Sequence, residues 1–203
     1  MTIDNRARRA MMTAMAALPL NEALGALADG AEATSAATPG AAQVRPRTLV
    51  AYLSRSGNTR VLAGVIHRAE PSDLFEIRPA RAYPDDYFDT VAQARQERDR
   101  GDLPPLHRPL PAMDRYDKLY LGFPVWGETL PAPVRSFLSQ LDLQGKTVVP
   151  FITHGGYGVG QSTADLARRA KGAAVQPPLV MEADQERRTA TRVLEWLGKP
   201  VPR

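Results

Sequence analysis

Residues 48–59 read TLVAYLSRSGNT, a short apolar run that stops at Ser54 and passes directly into a turn of hydroxyls around one glycine. Beyond it Val61, Leu62, Val65 and Ile66 recur at helical spacing, which predicts a helix to about residue 68 with those four on one face. The alternation continues. Strands are predicted at 74–77, 118–123 and 147–153, and a fifth near 179–181, where Pro177-Pro178 points to a sheet edge. Asp85 or Asp86 caps a polar helix that turns Tyr87, Phe88, Val91 and Ala92 inward. Val134, Phe137, Leu138 and Leu141 mark the next helix, whose first turn tolerates Pro131 and Pro133. A further helix spans 162–170, and Ala190, Val193, Leu194 and Leu197 mark the last. Five strand–helix alternations imply an α/β fold, a parallel sheet with helices on both faces.

Composition narrows the chemistry. The chain has 203 residues, 43% hydrophobic and 24% charged, enough for one domain with its own core. Cysteine is absent, which excludes a thiol nucleophile, disulfides and cysteine-held metals. His67, His107 and His154 are too far apart to form a metal-binding helix pair, so no metal site is expected. Net charge is +4, but the arginines are scattered and no basic run is interleaved with aromatics, so no nucleic-acid partner is expected.

The first 42 residues hold 14 alanines and no aromatic, whereas all 13 aromatics lie between Tyr52 and Trp196. The folded domain is therefore placed at 47–199, with residues 1–42 as an export signal or a disordered leader. Arg6, Arg8 and Arg9 precede a weakly apolar stretch at 10–20, and small-residue sites follow at 26–28 and 31–33. Arg8-Arg9 resembles a twin-arginine signal, which implies a periplasmic destination; without such a signal the protein stays in the cytoplasm. The apolar stretch is far short of the ~20 residues a membrane span needs.

In parallel α/β sheets ligands bind beyond the carboxyl ends of the strands. Three unusual turns leave those ends here. The first is Ser54-Arg55-Ser56-Gly57-Asn58-Thr59, with three hydroxyls, an amide and backbone N–H groups at a helix start, a setting for a phosphate dianion. It lacks the spacing and the lysine of a nucleotide-hydrolysing loop. The second carries Pro124-Val125-Trp126-Gly127, where the indole either faces a planar ligand or packs against Leu130 or the next helix. The third is Thr153-His154-Gly155-Gly156-Tyr157, opening a run with four glycines among residues 155–160. Together they ask for a ligand with a phosphate at one end and a flat heteroaromatic system at the other, a description that flavin mononucleotide (FMN) fits.

These turns carry a family likeness. With Tyr83-Pro84-Asp85-Asp86-Tyr87, Tyr116-Asp117 and Val134-Arg135-Ser136-Phe137-Leu138, they resemble the flavodoxin family, in particular its short bacterial flavodoxin-like branch, over about residues 47–198. The resemblance implies a doubly wound five-stranded sheet in the order 2-1-3-4-5. It implies that Ser54, Ser56, Asn58 and Thr59 bind the FMN phosphate, with Arg55 and Gly57 lining that turn. It further implies that residues 124–127 and 153–157 frame the isoalloxazine, with Tyr83 and Tyr87 near the site either shaping a substrate pocket or packing with the helix. Many relatives have two adjacent tryptophans where this chain has Trp126-Gly127, which leaves stacking on one side to Tyr157 or weakens it. Long-studied flavodoxins are acidic, which lowers the flavin potential; this chain is basic. The implied function is electron transfer to a redox partner protein, or NAD(P)H-dependent reduction of a small quinone-type acceptor. The alternative is a flavin-free binding module.

Overall fold

β1 (Thr48–Tyr52) is buried at every residue after Thr48, as a strand with neighbours on both sides and helices on both faces should be. It pairs in parallel with β2 (Asp73–Glu76) on one side and β3 (Lys118–Pro124) on the other. β3 pairs in parallel with β4 (Thr147–His154), and β4 carries two short parallel strands, β5 (Ala174–Val175) and β6 (Leu179–Glu182). The order is β2-β1-β3-β4-β5, with β6 also on β4. This computed structural model describes residues 47–183 and 186–201; the leader expected at 1–42 lies outside them.

The fifth position of the sheet is split for a backbone reason. Val148 pairs with Val175 but Phe151 with Leu179, so the edge carries one residue more than β4. On β4 the Thr147 N–H donates to Asp117 O of the β3 side (2.9 Å), while Val148 O accepts from Gln176 N–H of the edge (2.8 Å). Even-numbered positions of β4 thus address the edge. Pro150 has no N–H to offer there, and Pro177-Pro178 opposite have none either. The ladder breaks where both partners lack donors, so the edge expected from the prolines holds, with an added strand at Ala174–Val175.

Side chains alternate between two faces. Val50, Tyr52, Tyr120 and Phe151 pack with Leu62, Val65 and Ile66 of α1 (Asn58–Ala69) and Val193 of α5 (Glu186–Trp196). Leu49, Ala51, Leu121 and Ile152 pack with Val134 and Phe137 of α3 (Ala132–Ser139) and Leu166 of α4 (Ser162–Arg169). Gly122 of β3 makes room for a neighbour: a Cβ there would sit 2.1 Å from the Phe151 ring.

Several expected faces are corrected. α2 (Tyr87–Arg100) begins on Asp86, whose carboxylate accepts from Asp89 N–H (3.0 Å), but Tyr87, Phe88, Val91 and Ala92 are exposed. Its buried residues are Thr90 and Glu97, because α2 closes on a polar network and a cavity rather than on an apolar core. Val61 and Leu74 are also exposed, and on α5 Thr189 takes the buried place expected of Ala190. Leu141 lies beyond the end of α3. No helix among the described residues is long and apolar enough to cross a membrane.

Candidate functional site

The three strand-exit turns meet around one cavity of about 460 Å³, within the size range of small-ligand pockets. At its β1 end Gly57 precedes α1 in the left-handed region (φ +99°), a conformation L side chains rarely adopt. Ser54 Oγ accepts from Gly57 N–H (3.1 Å), so Ser54 shapes the turn and does not line the cavity. Ser56, Asn58 and Thr59 do line it. α1 has neither a side-chain cap nor an acidic residue in its first turn. Its leading N–H groups, which have no intrahelical acceptor, are left to an anion with no carboxylate competing for them. Arg55 also lines the cavity, but its Nη2 donates to Asp85 O (2.8 Å) and its Cζ lies 5.9 Å from the Tyr87 ring centroid.

The β3 exit is a two-residue reversal. Trp126 and Thr129 exchange backbone hydrogen bonds (3.3 Å each), and between them Gly127 (φ +56°) and Glu128 (φ +64°) both adopt the left-handed region, as a type I′ turn requires. Glu128 is the one non-glycine residue with positive φ among the described residues. Two latches hold it. Gln161 N–H donates to Glu128 O (2.7 Å), and Gly160 packs so closely that a Cβ there would lie 2.5 Å from that oxygen. Val125 N–H donates to Thr153 O (2.9 Å), and Thr59 Oγ1 lies 2.9 Å from Thr153 Oγ1, joining the first turn to the third.

The indole of Trp126 is half-buried on the cavity wall, edge-on to Tyr83 with ring centroids 4.9 Å apart. Tyr83 Oη donates to the buried Glu97 carboxylate, which also accepts from Gln93 Nε2 (2.8 Å). Burial first, then the bond to the Glu97 carboxylate, pushes the Tyr83 phenol far above its usual range, so it stays a donor. Arg135, also buried, donates through Nη2 to Glu97 O (3.1 Å) and Asp102 O (3.4 Å); burial lowers its pKa. The motif around Arg135 was visible in the sequence, but this network was not.

At the β4 exit His154 Nδ1 accepts from Gly156 N–H (3.1 Å) and Gly158 N–H (3.3 Å). Two donors on Nδ1 assign the ring proton to Nε2. Thr153, His154 and Gly155 line the cavity; Gly156 and Tyr157 do not, and Tyr157 is 95% exposed. From the second turn, all of residues 124–127 line it.

Of the fourth wall only Tyr87 is expected near a pocket from the sequence, with helix packing as its alternative. Tyr87, Thr90, Val91, Ala94, Arg95 and Arg98 of α2 line the cavity, and Ala183 closes it beyond β6. The signal was present as the spacing of Tyr87, Val91, Ala94, Arg95 and Arg98. That spacing fits a core-facing helix equally well, and only the fold tells the two apart.

Comparisons agree with this architecture. A family model described as Flavodoxin matches residues 47–199. A Bacteroides uniformis structure, provisionally named a flavoprotein, is 28% identical with a TM-score of 0.67 and covers 76% of this chain and 99% of its own. A Lactobacillus acidophilus structure, a flavoprotein in complex with FMN, is 23% identical with a TM-score of 0.58, covering 72% and 99%. No curated protein matches the chain.

Proposed function

The chain belongs to the flavodoxin family, and from that premise we propose that it holds FMN in this cavity and passes electrons through it. One observation carries the reading: a single cavity joins an uncapped, carboxylate-free α1 N-terminus to a wall bearing Trp126 and His154. The residues suit the two ends of FMN. Ser56, Asn58, Thr59 and the first-turn N–H groups of α1 would hold the phosphate dianion. Trp126 and the backbone of the Pro124-Val125 and Thr153–Gly155 segments would frame the isoalloxazine, with His154 Nε2–H as a donor. Ser54 and Gly57 set the shape of the first turn; Gly156 fixes the His154 ring. Flavin, when bound, would supply the redox chemistry, taking up electrons from a donor and passing them to a partner protein or a quinone-type acceptor. The protein supplies position and electrostatics.

The full chain, purified without added cofactor, is to be examined by visible absorbance before and after denaturation, then titrated with FMN. A flavin spectrum with FMN released, or tight uptake of one equivalent, is the expected outcome. A colourless protein that takes up no FMN overturns the reading and leaves a flavin-free binding module. Steady-state turnover of NADPH with a quinone then separates reductase from carrier, since a carrier shows negligible turnover. We further propose export of the loaded protein to the periplasm by a twin-arginine route. N-terminal sequencing of the periplasmic fraction tests that, and full-length protein found in the cytoplasm alone would refute it.

A further inference from the structure

The cavity has more positive charge than a single phosphate needs. Three arginines line it, Arg55, Arg95 and Arg98, and no carboxylate does. If FMN occupies the three strand-exit turns as proposed, the α2 wall is left over. That wall is a stripe: Tyr87, Val91, Ala94 and Arg95 recur at helical spacing and all face the cavity. Val91 is 46% exposed, so it is an apolar side chain held at the wall of an open site and not in a core. Of the arginines, Arg55 is tied to Asp85 O, and Arg98 to Asp99 (2.9 Å) and Gly127 O (3.4 Å). Arg95 is the freest. Its ion pair with Asp99 is long, with Nε and Oδ2 3.7 Å apart and beyond hydrogen-bond distance, and its side chain is 74% exposed.

We infer that this wall is the subsite for a second ligand of the flavin site: a flat aromatic compound bearing an anionic substituent, carboxylate or sulfonate. Its ring lies along Tyr87 and Val91, and its anion meets Arg95. The wall's chemistry sets the class. An apolar strip excludes strongly hydrated ligands, a tyrosine ring offers a stacking face, and an arginine fork at the far end pairs a planar oxyanion through two parallel N–H donors. A cavity lined by one sign of charge also draws such a ligand in, an effect that salt weakens. The inference rests on the FMN reading.

The test is an equilibrium titration of the FMN-loaded full chain at low salt, with naphthalene-2-sulfonate and with neutral 2-naphthol, read on bound-flavin absorbance. The sulfonate is expected to bind at least tenfold tighter, with the preference shrinking as salt rises. Arg95→Gln is expected to weaken the sulfonate at least fivefold and the naphthol less than twofold, with FMN stoichiometry retained. Arg192→Gln, an exposed arginine of α5 outside the cavity, controls for net charge and should change neither. Equal affinity of the two probes, or an equal loss of both in Arg95→Gln, overturns the inference. So does loss of FMN from Arg95→Gln, which would hand the arginine to the cofactor. A wild-type chain that takes up no flavin overturns the FMN reading instead; the subsite is then judged by the same titration read on tryptophan emission.

Discussion

The cavity's two walls, the strand exits and α2, are built on different principles. The strand-exit wall is positioned by backbone, which aims the side chains of Ser56, Asn58, Thr59, Trp126 and His154. Its working parts are the free N–H groups of α1, a left-handed pair at Gly127 and Glu128, and glycines that donate to His154, all fixed by hydrogen bonds between turns. The α2 wall is made of side chains on a regular helix; Thr90 and Arg98 are tied by hydrogen bonds, while Tyr87, Val91, Ala94 and Arg95 present their side chains without a comparable latch. A wall of backbone fixes where a ligand sits, and a wall of side chains selects which ligand follows. The proposed division, cofactor on the first and substrate on the second, stands or falls on that contrast.

Asn58→Asp strikes it hardest. A carboxylate at the start of α1 favours the helix through its dipole, so the apo protein should be slightly more stable. With FMN bound as proposed the same carboxylate would face its phosphate, and the affinity is expected to fall on the order of 100-fold, about 3 kcal/mol. Fluorescence titration of FMN against thermal unfolding of the apo chain measures both. Unchanged affinity would move the phosphate off α1 and collapse the distinction between the walls.

Gly160→Ala probes the latch that holds Glu128. The added methyl meets Glu128 O at 2.5 Å in a residue with φ +52°, and both effects are unfavourable. Chemical denaturation should register a loss of about 1–3 kcal/mol. A neutral result would mean that the turn carrying Trp126 shifts freely and is no rigid wall. Tyr83→Phe tests the buttress between the walls, since Tyr83 touches Trp126 with its ring and Glu97 of α2 with its hydroxyl. Removing the hydroxyl leaves a buried carboxylate short of one donor, a cost of about 1.5 kcal/mol. Tryptophan emission should shift as well, because the indole loses a fixed neighbour.

The same contrast explains what the sequence could tell. The strand-exit turns were legible because their signals are local: a serine-rich turn before an apolar helix, a tryptophan between proline and glycine, a run of glycines. Each constrains its own backbone wherever it sits. The α2 wall was misread because Tyr87, Phe88 and Val91 carry helical periodicity without saying whether core, cavity or solvent lies opposite. The parallel sheet follows from alternation and handedness and its order from the family resemblance, yet the split edge needed the register, which alone sets Pro150 opposite Pro177-Pro178. The Tyr83–Glu97–Arg135 network joins residues up to 52 positions apart and left no sequence signal beyond a buried-looking motif.

The smallest expected effect calibrates the arginines. At the end of β2, Glu76 accepts from Arg60 (2.7 Å) and Arg78 (2.8 Å), so these cations are paired at hydrogen-bond distance, whereas Arg95 of the cavity lining meets its carboxylate only at 3.7 Å. Burial pushes the Glu76 carboxyl up, but the two guanidinium bonds outweigh it and hold its pKa below the usual carboxylate value. With the folded value below the unfolded one, the contribution is present above the unfolded pKa of about 4.3 and is lost as pH falls through the folded value. Both arginines are more than half exposed, which keeps the gain below about 1 kcal/mol. Wild type should therefore exceed Glu76→Gln in stability by that small margin at neutral pH, and the margin should close on acidification below about pH 4. A margin that ignored pH would show that arginines on this surface gain nothing from a partner. Arg95 would then have no electrostatic reason to prefer an anion, and the α2 wall would have to select by shape alone.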